Sequence, residues 1–207
     1  MSVYVNFVSD FPERCQEILA DYERRARFIG RDVTHMLAIA AVGLNIPFER
    51  LRDDVSHVSK DRERYQAAAN QLADLRKQRF LGSDLWGQEP GSWEYGEIPN
   101  GEGTAEEWKE RTHSVCKSDG KVTGDSGLLT NDVVIRSLRN ALAHGNIFTP
   151  GKEDIEDIIF LSKIHQRREP YRVFVVSPAD FREFLKRWYF FIRKINMPDG
   201  LIEASAG

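Results

Sequence analysis

Residues 138–145 read Leu-Arg-Asn-Ala-Leu-Ala-His-Gly, and they form the end of a helical segment with clear start and stop signals. Asn131 is a good helix cap, and Gly145 follows the last periodic residue, where glycine commonly ends a helix. Between them the apolar residues recur at helical spacing, which predicts a helix with one buried face: Val134, Ile135, Leu138, Ala141 and Leu142.

Three polar side chains stand on this predicted helix close to its end. Arg139 is a permanent cation that can hold a phosphate through two hydrogen bonds. The His144 imidazole can exchange a proton near neutral pH, and Asn140 offers an amide beside it. Breaking an RNA phosphodiester requires a proton to move and a crowded phosphate to be neutralised, so this combination suits that chemistry.

The segment before it is mostly helical by periodicity. Asp10 with Glu13 predicts a capping box, from which an apolar stripe runs to Gly30. A second stripe runs from Val33 to Leu44 and is expected to end before Pro47. A third continues to about residue 80, and a break at Ser59 stays open.

Residues 82–103 are expected to be a loop-rich insertion, since they hold six glycines, two prolines and the pair Trp86 and Trp93. Three roles remain open for it: a partner-docking loop, an acidic lid, or a loop packed on its own tryptophans. Thr104 and Glu107 then predict a capping box for a short helix that reaches about residue 116.

The last third predicts a small hairpin and a final helix. The two strands, 155–164 and 171–176, are β-branched and aromatic. Ser177, Pro178 and Asp180 are typical of a helix start. The helix that follows is rich in aromatic residues, and we expect its apolar face to be core or dimer seam.

Composition restricts the class of protein. The chain has 207 residues, 41% hydrophobic residues, a formal charge of -3 and two cysteines. No apolar run is long enough for a membrane span, no signal peptide is recognisable, and the cysteines form no disulfide framework, so a cytoplasmic location is expected. Residues 84–107 carry seven carboxylates and no Lys or Arg, whereas residues 131–195 carry 12 Lys/Arg against 8 Asp/Glu.

The run Arg139-Asn140-Ala141-Leu142-Ala143-His144 resembles the signature of HEPN domains, an arginine followed by a polar residue and, after a short gap, a histidine. The resemblance implies a mainly α fold: an antiparallel bundle of four to five helices, here with a small C-terminal β-hairpin and a final aromatic-rich helix. It implies one domain over residues 1–197, interrupted by the insertion at about 82–103 and followed by a tail, 198–207.

The resemblance also implies an activity. Active members of the family that this chain resembles are metal-independent endoribonucleases that act as homodimers. Many are toxins or phage-defence effectors, and their partner is a cognate antitoxin or a nucleotidyltransferase-like protein. By that resemblance His144 is the acid or base, Arg139 holds the scissile phosphate, and Asn140 orients the imidazole or bonds a phosphate oxygen. Neither a metal nor another cofactor is expected. The alternative is a catalytically inactive HEPN-like module that binds RNA or protein.

Helix geometry favours a shared site. Residues five apart are turned by about 140°, so Arg139 and His144 do not share a face, whereas Asn140 and His144 do. Two helices related by a dyad could present Arg139 of one chain to His144 of the other.

The same residues could also have purely structural roles. The arginine could pair with a carboxylate and the histidine could cap the helix end. Arg136, Arg167 and Arg168 are weaker candidates for RNA contacts, although hairpin tips are usually just solvated. His113 and Cys116 have a spacing that suits two metal ligands on a helix, but further ligands at matching spacing are missing, so we expect no metal site.

Overall fold

A computed structural model describes residues 7–21, 23–51, 66–86, 91–99, 102–115, 129–150, 154–164 and 170–195. The helices are α1 (Phe7–Asp21), α2 (Glu23–Phe28), α3 (Asp32–Leu51), α4 (Gln66–Lys77), α5 (Ala105–Glu110), α6 (Asn131–His144) and α7 (Pro178–Ile195). The strands are β1 (Glu94–Ile98), β2 (His113–Ser114), β3 (Ile147–Phe148), β4 (Ile158–Lys163) and β5 (Tyr171–Val176). The fold is mainly α with a small antiparallel sheet.

The chain divides into two compact units. One comprises Met1–Leu75 with Leu185–Gly207, and the other comprises Arg76–Phe184. The predicted tail, 198–207, and the expected break at Ser59 lie outside the described residues.

The first unit contains α1 to α3, most of α4 and the C-terminal part of α7. Its buried side chains come from one face of each helix, as the periodicity predicts; on α3 they include Met36, Ala40, Leu44 and Phe48. Two predicted boundaries are wrong. Helix α1 begins at Phe7, before the expected Asp10 cap, and it contains Pro12. Because Pro12 lies in the second turn, it removes only one early hydrogen bond of the helix.

Helix α3 also runs through the proline that was expected to end the second stripe. Pro47 lies inside the helix and is buried. A proline has no N–H for the carbonyl four residues earlier, which here belongs to Gly43. The Trp188 indole Nε1–H of α7 donates to that Gly43 oxygen over 2.9 Å. A tertiary hydrogen bond thus replaces the missing helical one, which is why the helix continues.

The second unit is built on a five-stranded antiparallel sheet with the strand order β2-β1-β5-β4-β3. Ile159 lies opposite Val175, and Phe160 lies opposite Phe174. The expected C-terminal strands are thus present as β4 and β5, but they belong to a larger sheet. β4 starts at Ile158, three residues later than expected.

One face of this sheet is covered by α5. Trp108 of α5 packs in a cluster with apolar residues of three strands: Ile98, Ile159, Leu161, Val173 and Val175. Five consecutive residues of β4 are buried, so the other face is covered as well. Helix α6 contacts β4 and contributes nothing to the Trp108 cluster, so it packs on that second face.

The expected insertion is only partly a loop. Residues 94–98 form strand β1, which pairs with both β2 and β5. Trp86 and Trp93 are buried and lie 6.2 Å apart between ring centroids. Trp93 also packs against Phe184 at 5.5 Å and Phe80 at 5.4 Å. Trp93 and strand β1 are therefore packed into this unit, and the lid interpretation is wrong for them.

Two predicted helix starts are confirmed. The Thr104 hydroxyl accepts from Glu107 N–H while the Glu107 carboxylate accepts from Thr104 N–H, which is the expected capping box. At α7 the Ser177 hydroxyl accepts a hydrogen bond from Asp180 N–H over 3.2 Å. Helix α5 is shorter than predicted, because the chain turns into β2 after residue 112.

Candidate functional site

Helix α6 carries the predicted site, and its first turn is fixed by two residues. The cap is Thr130, whose hydroxyl accepts from Val133 N–H over 3.4 Å, so the expected Asn131 cap is wrong by one position. Asn131 is already helical and buried, and its side-chain oxygen accepts from the Ser83 hydroxyl over 3.1 Å. The hydrogen bond from Ser83 therefore occupies the Asn131 side-chain oxygen that would otherwise cap the helix.

The C-terminal end of α6 is a tight, defined stop. Gly145 has φ 70° and ψ 19°, in the left-handed region that glycine adopts most easily, so the predicted glycine end is confirmed. Its N–H bonds to the carbonyl of Ala141, and Asn146 N–H bonds to the same oxygen over 2.9 Å. Leu161 N–H of β4 then donates to Asn146 oxygen over 3.0 Å. These bonds hold the last turn of α6 to the sheet.

The motif side chains differ in their exposure. Leu138, Ala141 and Leu142 are buried and attach the helix to the sheet. Arg139 and Asn140 are half-buried, and His144 is exposed. The single chain therefore offers an accessible imidazole in the last turn of α6. On an ideal helix the side chain of Arg139 points about 140° away from that of His144. Within one chain the two groups therefore lie on different sides of α6.

Arg136, the weaker candidate, has a structural partner. Its Nε lies 2.9 Å from a carboxylate oxygen of Asp132, and Arg76 Nε lies 2.6 Å from the other oxygen of the same carboxylate. Asp132 therefore joins the end of α4 to the first turn of α6. The other two weak candidates, Arg167 and Arg168, lie outside the described residues.

A polar cluster that the sequence analysis missed lies on the α6 side of the sheet, where buried Tyr95 meets half-buried Glu97 and Arg172. The Tyr95 hydroxyl donates to Glu97 Oε1 over 2.5 Å. Burial, together with the neighbouring Glu97, raises the pKa of Tyr95 well above its ordinary value, and the Arg172 guanidinium offsets part of that rise. The phenol therefore stays protonated as a hydrogen-bond donor. The sequence signal that could have revealed it is the spacing of Tyr95 and Glu97, because residues two apart on a strand lie on the same face.

Strand register relates this cluster to the motif. Glu97 lies opposite Arg172, and Arg172 lies opposite Ser162. On β4, Ser162 follows Leu161, whose N–H donates to the Asn146 oxygen just beyond the end of α6. The row Glu97–Arg172–Ser162 thus crosses the sheet toward the end of α6, with about 4.8 Å between neighbouring strands.

A comparison with protein families agrees with the motif. A family model described as HEPN pEK499 p136 matches residues 1–198. The chain belongs to the HEPN pEK499 p136 family. The resemblance inferred from Arg139 to His144 is therefore confirmed at the level of the family. Comparisons with curated proteins and with solved structures gave no match.

Two features are absent from the described parts of this HEPN chain: a group of metal-ligand side chains and a membrane-spanning helix. No three His, Cys, Asp or Glu side chains there are grouped closely enough to hold a metal ion. His113 is exposed on strand β2, not on a helix as expected, and Cys116 lies outside the described residues. No helix in the described ranges has the length and hydropathy of a membrane span.

Proposed function

We propose that this HEPN chain is a metal-independent endoribonuclease that works as a homodimer. The observation that carries the proposal is the placement of His144: an exposed imidazole in the last turn of a helix whose end is fixed by Gly145 and by Leu161 of the sheet. A catalytic imidazole has to reach a substrate and hold its geometry, and this position provides access with a fixed backbone.

The reaction can be carried by the motif residues together with solvent water. The ribose 2′-oxygen attacks the adjacent phosphorus, the bond from phosphorus to the 5′-oxygen breaks, and the products are a 2′,3′-cyclic phosphate and a 5′-hydroxyl. One proton leaves the 2′-hydroxyl and one reaches the departing 5′-oxygen. His144 accepts the proton of the 2′-hydroxyl or donates the proton to the 5′-oxygen, and solvent water completes the other transfer. Arg139 neutralises the negative charge that builds up on the phosphate, and Asn140 orients the imidazole or bonds a phosphate oxygen.

Two subunits are part of the proposal. Because Arg139 and His144 of one helix face different directions, a dyad-related helix supplies the missing partner, and each phosphodiester meets Arg139 of one protomer and His144 of the other. A role as a toxin or phage-defence effector follows from the same proposal, with a cognate antitoxin or a nucleotidyltransferase-like protein as the controlling partner. Such an enzyme would act on RNA in the cytoplasm.

The test compares cleavage of mixed single-stranded RNA in the presence of EDTA by the parent chain and by Arg139→Ala, Asn140→Ala and His144→Ala. General acid–base catalysis contributes about 10²- to 10⁴-fold, so His144→Ala is expected to lose activity by that factor. His113→Ala and Arg111→Ala are the matched controls, because both side chains are exposed and lie outside α6. They are expected to cleave as the parent does.

Each alternative has its own result. Products of the parent should end in cyclic phosphate. Equal nicking by all variants would identify a contaminating nuclease and remove the support for the proposal. No cleavage by the parent, with RNA binding retained, would favour the catalytically inactive binding module.

A further inference from the structure

The outer face of α7 carries one exposed aromatic side chain among four cations. Phe190 is 61% exposed, although the opposite face of the same helix is buried through Trp188, Ile192 and Ile195. The cations flank it along the helix: Lys186, Arg187, Arg193 and Lys194. All lie within the first unit, residues 185–195 contain no Asp or Glu, and the nearest acidic residue of the helix is the exposed Glu183.

Helix geometry brings these cations around the phenyl ring. At 100° per residue, the side chains at i±4 and i±3 leave the helix within about 60° of Phe190, so all five share one face. Lys186 and Lys194 are eight residues apart, which is about 12 Å along the axis. Lys186 and Arg187 each have an interaction with another residue of the chain. Arg193 lies 3.7 Å from Glu13, and the two side chains are 42% and 48% exposed. Such an exposed pair is weak and can exchange with another anion.

The chemistry of this face fits one class of partner. A repeated anion would contact the cations on both sides of the ring in exchange for their present partners, and a planar group would cover the ring itself. Single-stranded RNA provides both, because aromatic stacking of a base works with phosphate contacts on either side. A protein partner would require a wider apolar surface, since stable interfaces bury about 800 Å² on each side around an apolar core. Phe190 is the only exposed large hydrophobic side chain among the described residues of α7.

We propose that the face formed by Lys186, Arg187, Phe190, Arg193 and Lys194 binds single-stranded RNA, with one base stacked on Phe190 and the neighbouring phosphates held by the cations. This rests on the proposed function in that it names a substrate contact of the nuclease. The base contact tolerates any sequence, because every base has a stacking surface. The face therefore positions an RNA strand and does not select a cleavage site.

The probe is a fluorescein-labelled 12-nucleotide RNA of mixed sequence in which every ribose is 2′-O-methylated. It lacks the attacking hydroxyl, so the full chain binds it without cutting it. Fluorescence anisotropy gives the Kd for the parent and for Phe190→Ala, Phe190→Leu and Phe190→Tyr. Loss of one stacking contact is expected to raise the Kd about 10-fold for the alanine and leucine variants, while the tyrosine variant stays within about two-fold.

Charge is tested separately. A double variant, Lys186→Gln with Lys194→Gln, should bind more weakly and should flatten the dependence of log Kd on log salt by about 1.4, which is about 0.7 for each lost phosphate contact. Ile18→Ala and Arg111→Gln are the controls. Both residues are exposed, one apolar and one cationic, and both lie on other elements.

Three results would overturn the proposal. Phe190→Ala could bind with the Kd of the parent. The leucine variant could match the parent while alanine does not, which would indicate an apolar protein contact instead of a stacked base. The parent could fail to bind the probe at all. Cleavage of unmodified RNA in EDTA is measured in parallel: persistent cleavage without Phe190-dependent binding rejects only this face, whereas Phe190-dependent binding without cleavage rejects only the nuclease.

Discussion

The hydrogen bond between Trp188 and Gly43 should contribute measurably to stability, because Pro47 leaves the Gly43 carbonyl without its helical donor. Trp188 and Pro47 are buried, and the bond is 2.9 Å long. In Trp188→Phe the carbonyl loses its donor, which costs about 1–3 kcal/mol for a buried acceptor. The smaller ring also leaves a cavity, which adds about 1 kcal/mol. The expected total is about 3 kcal/mol less free energy of unfolding.

A second substitution separates the hydrogen bond from the cavity. Pro47→Ala restores a backbone N–H at the position that normally bonds to the Gly43 oxygen. In the Trp188→Phe background this donor is needed, whereas in the parent the indole already supplies one. Pro47→Ala should therefore be more favourable in the Trp188→Phe background by about 1–2 kcal/mol, and the cavity cancels from this difference.

The assay is urea unfolding of all four proteins, followed by circular dichroism at the helical band so that the loss of Trp188 does not alter the signal. The cycle gives the coupling free energy directly. A coupling within about 0.3 kcal/mol of zero, which is the range for independent sites, would refute the argument that Trp188 replaces the missing donor.

Three further predictions concern other parts of the chain. Gly145→Ala should lower the free energy of unfolding by about 1 kcal/mol, measured by urea unfolding, because its φ of 70° strains any residue with a side chain even where nothing crowds the new methyl group; unchanged stability would contradict the described helix end. Burial raises the pKa of the Cys15 thiol to about 11, so the thiolate is scarce at pH 8 and iodoacetamide should label Cys15 slowly until the chain is unfolded in urea; rapid native labelling, read by peptide mass spectrometry, would be inconsistent with that burial. Asp132→Asn should destabilise the fold by about 1 kcal/mol at low salt and by less in 1 M salt, because the substitution removes the charge that pairs with Arg76 and Arg136. The measurement is thermal unfolding of the parent and the variant at both salt concentrations, and equal stability of the two proteins at low salt would contradict a contribution from these pairs.

Local signals predicted well where a short segment determines its own geometry. The Thr104–Glu107 capping box, the Ser177 start of α7 and the Gly145 end of α6 all depend on hydrogen bonds within a few residues. The helical stripes depend only on a repeating pattern. These features can be recognised without knowledge of the rest of the chain.

Prediction failed where a distant residue changes the local balance. Nothing near Pro47 indicates that an indole 141 residues later will satisfy the Gly43 carbonyl. Asn131 is a good cap by type, but Ser83 holds its amide in the interior. Strand β1 has five residues, includes Gly96, and stands among glycines and carboxylates, so its alternation was too short to outweigh a composition typical of loops.

The candidate site shows the same division. The motif identified the family from six residues, because an arginine, an amide and a histidine on one helix are informative by themselves. The Tyr95–Glu97–Arg172 cluster was missed because strand register brings its members together across 77 residues of sequence. The relation between Arg139 and His144 in the proposed site depends on a second copy of the chain.

Mixing two inactive variants tests the shared site most directly. If each phosphodiester meets Arg139 of one protomer and His144 of its partner, a heterodimer of Arg139→Ala and His144→Ala has one intact pair. Random exchange of subunits yields heterodimers for half of the molecules, each with one of two sites, so RNA cleavage should return to about a quarter of the parent's. A mixture that stays as inactive as either variant alone, after mass spectrometry has shown that heterodimers formed, would contradict the shared site.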